Sequence, residues 1–397
     1  MIRYHIPAGF RAAAVRSGIK PSGSPDLALF VASNPCAAAG VFTTNRIAAA
    51  PVRWDRRIVP SESIMGVAIN AGNANAATGD EGLRNAQATA ETLAAKIGCD
   101  PDQILVASTG IIGRQLPMDK LTAGVGAAFD RLTTDQESFF DAAHAILTTD
   151  TRIKVASRGL TLDGRAINLL GIAKGAAMMG PKMATMLAFV LTDAAVASAD
   201  LDAILRASVD ESFHCISVEG HTSTNDTVLL LASGAAGGSR LAGESLASFA
   251  ASVADLCREL ARMIPDDGEG ATHLITIDVS GCRTREDARA IAKTVAESAL
   301  VKTAIAGGDP NWGRIVSAAG YAGVDFDESE LSLKLNGFPL YHNGAPLPFD
   351  ADAVSNSIKS ERETKIELAI NQGPAAARFW TCDLTAEYVH INADYTT

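Results

Sequence analysis

The sequence predicts a mixed α+β fold, and three observations predict it. Strand-like and helix-like periodicities alternate along the whole 397-residue chain. Two strand-like runs flank Asp163-Gly164, a tight-turn pair that makes an antiparallel hairpin, which a purely parallel doubly wound sheet would not contain. Hydrophobic residues make up 47% and aromatics only 5%, with Ala and Gly abundant, a composition that suits close backbone packing over a large core.

Taken in order, residues 64–70 read as a short buried strand that runs into a Gly/Asn-rich loop at 71–75. Residues 81–97 form an Ala-rich helix with Leu83, Ala86, Ala90 and Leu93 on one face. A strand at 103–107 is followed by the turn Ser108-Thr109-Gly110. A helix at 135–147 ends at Thr148-Thr149-Asp150. The hairpin takes 153–162 and 166–172, and a buried strand covers 185–191. Helices at 202–213, 244–263 and 286–298 then alternate with strands at 227–232, 274–279, 331–335 and 365–370. No low-complexity tract or Pro/Ser-rich linker divides the chain, and no solenoid-length repeat is visible.

The formal charge is −11, which argues against a nucleic-acid or anionic-membrane binder, since both need a basic footprint. The charge is uneven: residues 1–184 carry 19 basic and 15 acidic side chains, residues 185–397 carry 15 and 30. The six cysteines, Cys36, Cys99, Cys215, Cys257, Cys282 and Cys382, form no CxxC pair and read as reduced, buried residues of a cytoplasmic protein. The N-terminus shows no secretory h-region, and the apolar run 183–191 is half a membrane span.

Phosphate-loop, dinucleotide, HExxH and GxSxG motifs are absent, and the seven histidines are scattered with no metal-ligand spacing. The informative segment runs from Lys174 through Gly180-Pro181 to Ala184-Thr185-Met186-Leu187, where a strand starts abruptly after a small residue. A cut before Thr185 would leave a hydroxyl and an α-amine on one residue. With an ordinary pKa of about 7.7–8.0, that amine can act as a general base without a histidine. On pattern alone, a buried strand that happens to start with Thr explains the segment better.

Recurrent motifs change that balance. The segment Lys174-Gly175-Ala176-Ala177-Met178 through Met183-Ala184-Thr185-Met186-Leu187 resembles the ornithine acetyltransferase (glutamate N-acetyltransferase) family of arginine biosynthesis. So do Val41-Phe42-Thr43-Thr44-Asn45, Asn70-Ala71-Gly72-Asn73-Ala74-Asn75, Ser108-Thr109-Gly110-Ile111-Ile112-Gly113, Thr148-Thr149-Asp150, Ser223-Thr224-Asn225-Asp226-Thr227, Asp267-Gly268-Glu269-Gly270, Asp309-Pro310-Asn311-Trp312-Gly313-Arg314 and Asn392-Ala393-Asp394-Tyr395-Thr396-Thr397. With Gly9-Phe10-Arg11-Ala12-Ala13, Leu116-Pro117-Met118 and Leu300-Val301-Lys302-Thr303-Ala304, twelve ordered matches span nearly the whole chain.

The resemblance implies self-cleavage between Ala184 and Thr185. It implies chains 1–184 and 185–397 that stay together as a heterotetramer of two α and two β chains, in the fold of self-processing aminopeptidases with sheets stacked between helical layers. Thr185 is then the nucleophile, carrying acetyl from N2-acetylornithine to glutamate in ping-pong fashion. Thr109 and Gly110 match the oxyanion hole, and Thr148, Lys174, Glu269, Asn392 and Thr397 match substrate-binding positions. No metal or bound cofactor is implied; acetyl-CoA is a co-substrate of many members and not of others. The stretches 223–227 and 309–314 read as structural, or as groups that support the site from behind without direct catalysis. Three positions depart from the family: Ala177 where a second Gly is usual, so that a left-handed backbone there would be strained, Lys182, and Glu219. An amidase or aminopeptidase of the same architecture, or an uncleaved non-enzymatic relative, remains an alternative.

Overall fold

The computed structural model describes residues 4–178 and 186–394. Its first sheet is built from β1 (Phe10–Val15), β2 (Leu27–Phe42), β3 (Ser61–Asn73), β4 (Ile104–Ile111), β5 (Lys154–Leu162), β6 (Arg165–Lys174), β7 (Leu187–Thr192) and β8 (Thr227–Ala232). The order is β4-β3-β2-β8-β7-β6-β5, with β1 on the first half of β2. The second sheet takes β9 (Leu274–Cys282), β10 (Leu331–Leu335), β11 (Phe338–His342), β12 (Ala345–Pro346), β13 (Glu363–Ile370) and β14 (Ala375–Cys382), in the order β12-β11-β10-β13-β9-β14. The β3:β4, β7:β8 and β9:β13 pairs are parallel; the other ladders are antiparallel, giving the expected mixed α+β class.

The first sheet is folded over on itself, and β2 makes the fold. Val31 pairs with Gly66 and Cys36 with Ile64, so five steps on β2 face two on β3. The surplus Ser33-Asn34-Pro35 is exposed, as expected of a bulge that takes a proline out of the ladder. Gly40 and Phe189 both pair with Leu229, so they lie level. In a flat strand Phe30, ten residues before Gly40, would sit about 30 Å from that level. Instead the Phe30 and Phe189 rings are 5.6 Å apart. The two halves therefore pack face to face, and Phe30, Phe139, Leu170, Phe189 and Leu229 fill the space between them.

Alternation along the strands sends the other faces outward to helices. Leu27, Leu29 and Val31 of β2 meet the helices Gly79–Ile97 and Met118–Phe129. Val190 of β7 and Leu230 of β8 meet Ser198–Asp210 and Gly243–Met263, whose apolar faces continue into the second sheet. Helix Gly79–Ile97 buries Ala86, Ala90 and Leu93 as their spacing predicts, and stops at Gly98 in the left-handed region (φ 82°).

The predicted hairpin forms with Asp163 and Gly164 both at positive φ. The strands predicted at 227–232 and 331–335 have the predicted bounds. Three expectations need correction. The turn expected at Ser108-Thr109-Gly110 lies inside β4, which runs on to Ile111. The loop expected at 71–75 is strand as far as Asn73, because β4 continues beside it. The strand expected from residue 185 starts at Leu187 among the described residues. All six cysteines are free, and Cys99 is the one that is not buried. No helix among the described residues is long and apolar enough to cross a membrane.

Candidate active site

A cavity of about 100 Å³ lies where β4, β6 and the turn before β8 converge. Thr109, Gly110, Thr148, Lys174, Glu269 and Asn392, six of the predicted site residues, all line it. Ala184, Thr185 and Thr397 lie outside the described residues, as does Lys182.

Gly110 is the geometric key to one wall. Its φ is +131°, and a Cβ there would sit 2.4 Å from the Gly72 carbonyl carbon and 2.6 Å from Asn73 N. Only glycine allows β3 and β4 to approach this closely. The register is irregular at the same place, with Asn73 facing both Thr109 and Ile111. Asn225 ties this wall to the next by donating from Nδ2 to the carbonyls of Ala74 (2.6 Å) and Ser108 (2.8 Å).

Lys174, the last residue of β6, is fully buried. Its ammonium donates to Thr148 Oγ1 (2.7 Å) and, over 3.4 Å, to Thr109 Oγ1. An ammonium cannot accept, so each hydroxyl keeps its own hydrogen for another acceptor. The Lys174 charge is held by Asp150, whose Oδ2 is 3.6 Å away. Burial pulls the Lys174 pKa below its ordinary value, against Asp150 and the more distant Glu269, which raise it.

Asp150 is itself the hub of a buried ionic cluster. It accepts from Lys154 Nζ (2.8 Å) and Gly175 N (2.5 Å), and Lys154 also reaches Asp267 Oδ2 at 2.6 Å. Burial pushes the Asp150 carboxyl up, but Lys174 and Lys154 together hold it below the usual carboxylate range. Asp267, two residues before Glu269, links the cluster to the opposite wall. There Glu269 N donates to Ala176 O (3.0 Å), and the Glu269 carboxylate accepts from Asn392 Nδ2 (2.8 Å). Asn392 stands on the helix Ala386–Asp394, which docks against Gly270, where a Cβ would meet Tyr388 N at 2.6 Å. A buried cation thus faces an anion across a small cavity, a match for a ligand that carries both charges.

Two expectations change. Ser223, Thr224 and Asn225, read as structural, line the cavity. The strain expected at Ala177 is not there; Met178 takes the left-handed backbone instead (φ 56°). The ionic cluster of Asp150, Lys154 and Asp267 lies outside the predicted set, because Asp267 joins the local Asp150–Lys154 pair from 113 positions beyond Lys154. One further group stands out. Asp226 is fully buried and accepts from Met186 N (3.0 Å), while its Oδ2 has no partner among the described residues. Burial pushes its pKa well above the carboxylate range. Among the described residues no cluster of His, Cys, Asp or Glu could hold a metal ion.

The sequence profile of the ArgJ family matches residues 11–397. The chain belongs to the ArgJ family. Among curated ArgJ proteins, the arginine biosynthesis bifunctional protein ArgJ of Rhodopirellula baltica is 44% identical over 395 residues, covering 99% of this chain and 96% of that one. The protein of the same name from Thermus thermophilus is 45% identical over 393 residues, covering 99% of both. A crystal structure of ArgJ from Bacillus halodurans is 37% identical with a TM-score of 0.51, covering 52% of this chain and 98% of that chain. This chain is thus an enzyme of the ArgJ family over its whole length.

Proposed function

We propose that this ArgJ enzyme cuts itself between Ala184 and Thr185 and then moves acetyl from N2-acetylornithine to glutamate through an acetyl ester on Thr185. The observation that carries the proposal is the cavity that gathers Thr109, Gly110, Lys174 and Glu269 around one small volume. The half-length of the matched Bacillus halodurans chain supports the cut.

In self-cleavage the Thr185 hydroxyl attacks the Ala184 carbonyl carbon, the C–N bond breaks with the proton passing to nitrogen, and water hydrolyses the resulting ester. In transfer, the freed α-amine takes the hydroxyl proton while Thr185 Oγ attacks the acetyl carbonyl. The amide C–N bond breaks, and ornithine leaves with that proton. The glutamate amine then attacks the ester and restores the hydroxyl. Each step passes through an oxyanion, for which Thr109, its hydrogen released by Lys174, is a donor beside Gly110. Lys174 and Thr148 meet the substrate carboxylate; Glu269, steadied by Asn392, meets the ammonium; Thr397 adds a polar group at the chain end. Acetyl-CoA loads the same threonine by the same attack, its C–S bond breaking and the thiol leaving with the proton. The enzyme works in the cytoplasm as a heterotetramer of two α and two β chains.

Intact mass and N-terminal sequencing test the cut. Two fragments with a new N-terminus at Thr185 are expected, and one uncut chain for Thr185→Ala. Acetyl transfer to glutamate is expected to exceed acetate release; dominant release would make the protein a hydrolase.

A further inference from the structure

A second cleft, of about 610 Å³, opens beside the reactive cavity, lined by Arg46, Arg53 and Arg56 together with Asn45, Ile47 and Thr78. The protein as a whole is acidic, at −11, yet among the described residues no carboxylate pairs with any of these three guanidiniums. Arg56 is anchored by donating to the Thr43 carbonyl and lying over the Phe42 ring; Arg46 and Arg53 are exposed. The helix Gly79–Ile97 starts at this cleft, and its N-cap residue Thr78 makes no capping bond. Asp80 and Glu81 sit in the first turn but leave the arginines unpaired. Ile47, lining the same cleft, is 63% exposed, one of few large apolar side chains so placed.

Small side chains stand between cleft and cavity. Ala49, Ala74 and Ala76 form their own buried cluster with Ile112. Ala49 N donates to Thr224 O, and Ala74 and Thr224 line the cavity, while Ala48, Ala50 and Ala77 line the cleft. Ala77 holds a left-handed backbone (φ 55°), a conformation that persists in alanine only where its surroundings impose it.

We infer that this arginine cleft holds the phosphate-bearing nucleotide end of coenzyme A, its acyl arm passing the alanine wall to the cavity. Planar guanidiniums suit phosphate, and an exposed apolar side chain beside them suits the face of a base. The inference rests on the acetyl-CoA route proposed above, and a binding measurement separates the two. The purified processed enzyme is titrated calorimetrically with coenzyme A, pantetheine and ATP. Coenzyme A is expected to bind at least about tenfold more tightly than pantetheine, the scale of one charge-assisted contact. The double variant Arg46→Glu/Arg53→Glu is expected to remove that advantage and leave pantetheine binding and acetylornithine-to-glutamate turnover unchanged. Coenzyme A binding untouched by the reversal, no binding to the wild-type enzyme, or a reversal that weakens ATP alone would each overturn the inference. Failure of wild-type turnover from acetylornithine would instead overturn the transferase reading, whatever the titration shows.

Discussion

Gly110 and Asp150 do opposite jobs at the site: one supplies space and the other charge. A Cβ at residue 110 would collide with the backbone of Gly72 and Asn73. Gly110→Ala is therefore expected to displace the strand that carries Thr109. The loss in kcat should be on the order of 10²–10³, the effect of removing one oxyanion donor, checked by steady-state acetyl transfer. Asp150 raises the pKa of Lys174 against burial. With Asp150→Asn that support goes, the ammonium loses its proton at lower pH, and the alkaline limb of kcat/KM is expected to move to lower pH. A pH–rate profile checks the direction. Asp226 has the opposite electrostatics. Its folded-state pKa lies above the unfolded value, so the folded protein binds the extra proton. Its contribution to stability is fully present below about pH 4 and is lost as pH rises towards the folded pKa. Asp226→Asn is expected to flatten the fall of Tm with rising pH over that window, as read by thermal unfolding at a series of pH values.

At the scale of elements, β2 decides the architecture, and it was the element least legible in the sequence. Its 16 residues serve three cores and break register at Ser33–Pro35. Such a strand has no single period, and a proline inside it argues locally against a strand at all. The hairpin and β8 were legible because a turn pair or an unbroken apolar run announces each within a few residues. The Phe30–Phe189 contact closes the two half-sheets, so Phe189→Ala is expected to cost about 3–5 kcal/mol. Denaturant unfolding should show that loss in one cooperative transition, since both halves share the core. The candidate site shows the same division. Thr109, Gly110, Lys174 and Glu269 could be named from motifs, whereas the Lys154–Asp267 bridge spans 113 positions, and only the folded chain brings those two together.

At the scale of the whole molecule, the proposed cut does not coincide with a boundary of the fold. β6 and β7, on either side of it, pair from Leu169↔Thr192 to Lys174↔Leu187, and β2 pairs with β8. The two pieces differ in charge sign, but apolar strands join them. In 1 M salt the Debye length falls to about 3 Å and surface attraction is screened. The pieces are nevertheless expected to elute together in gel filtration at that salt and to separate only in denaturant. Separation by salt alone would show that charge, not the shared sheet, holds them.

The shared sheet also fixes an order of events. A segment ending at β6 would have no β7 along one edge and no β8 beside β2, and a segment beginning at β7 would be missing both partners in turn. Bare edges of that kind pair with whatever strand arrives first. Supplied as separate polypeptides, the two segments would have to find each other before either had a finished core. Made as one chain, they meet while still joined. Continuity thus serves assembly, and the proposed cut has to follow it: the sheet must close while the chain is whole.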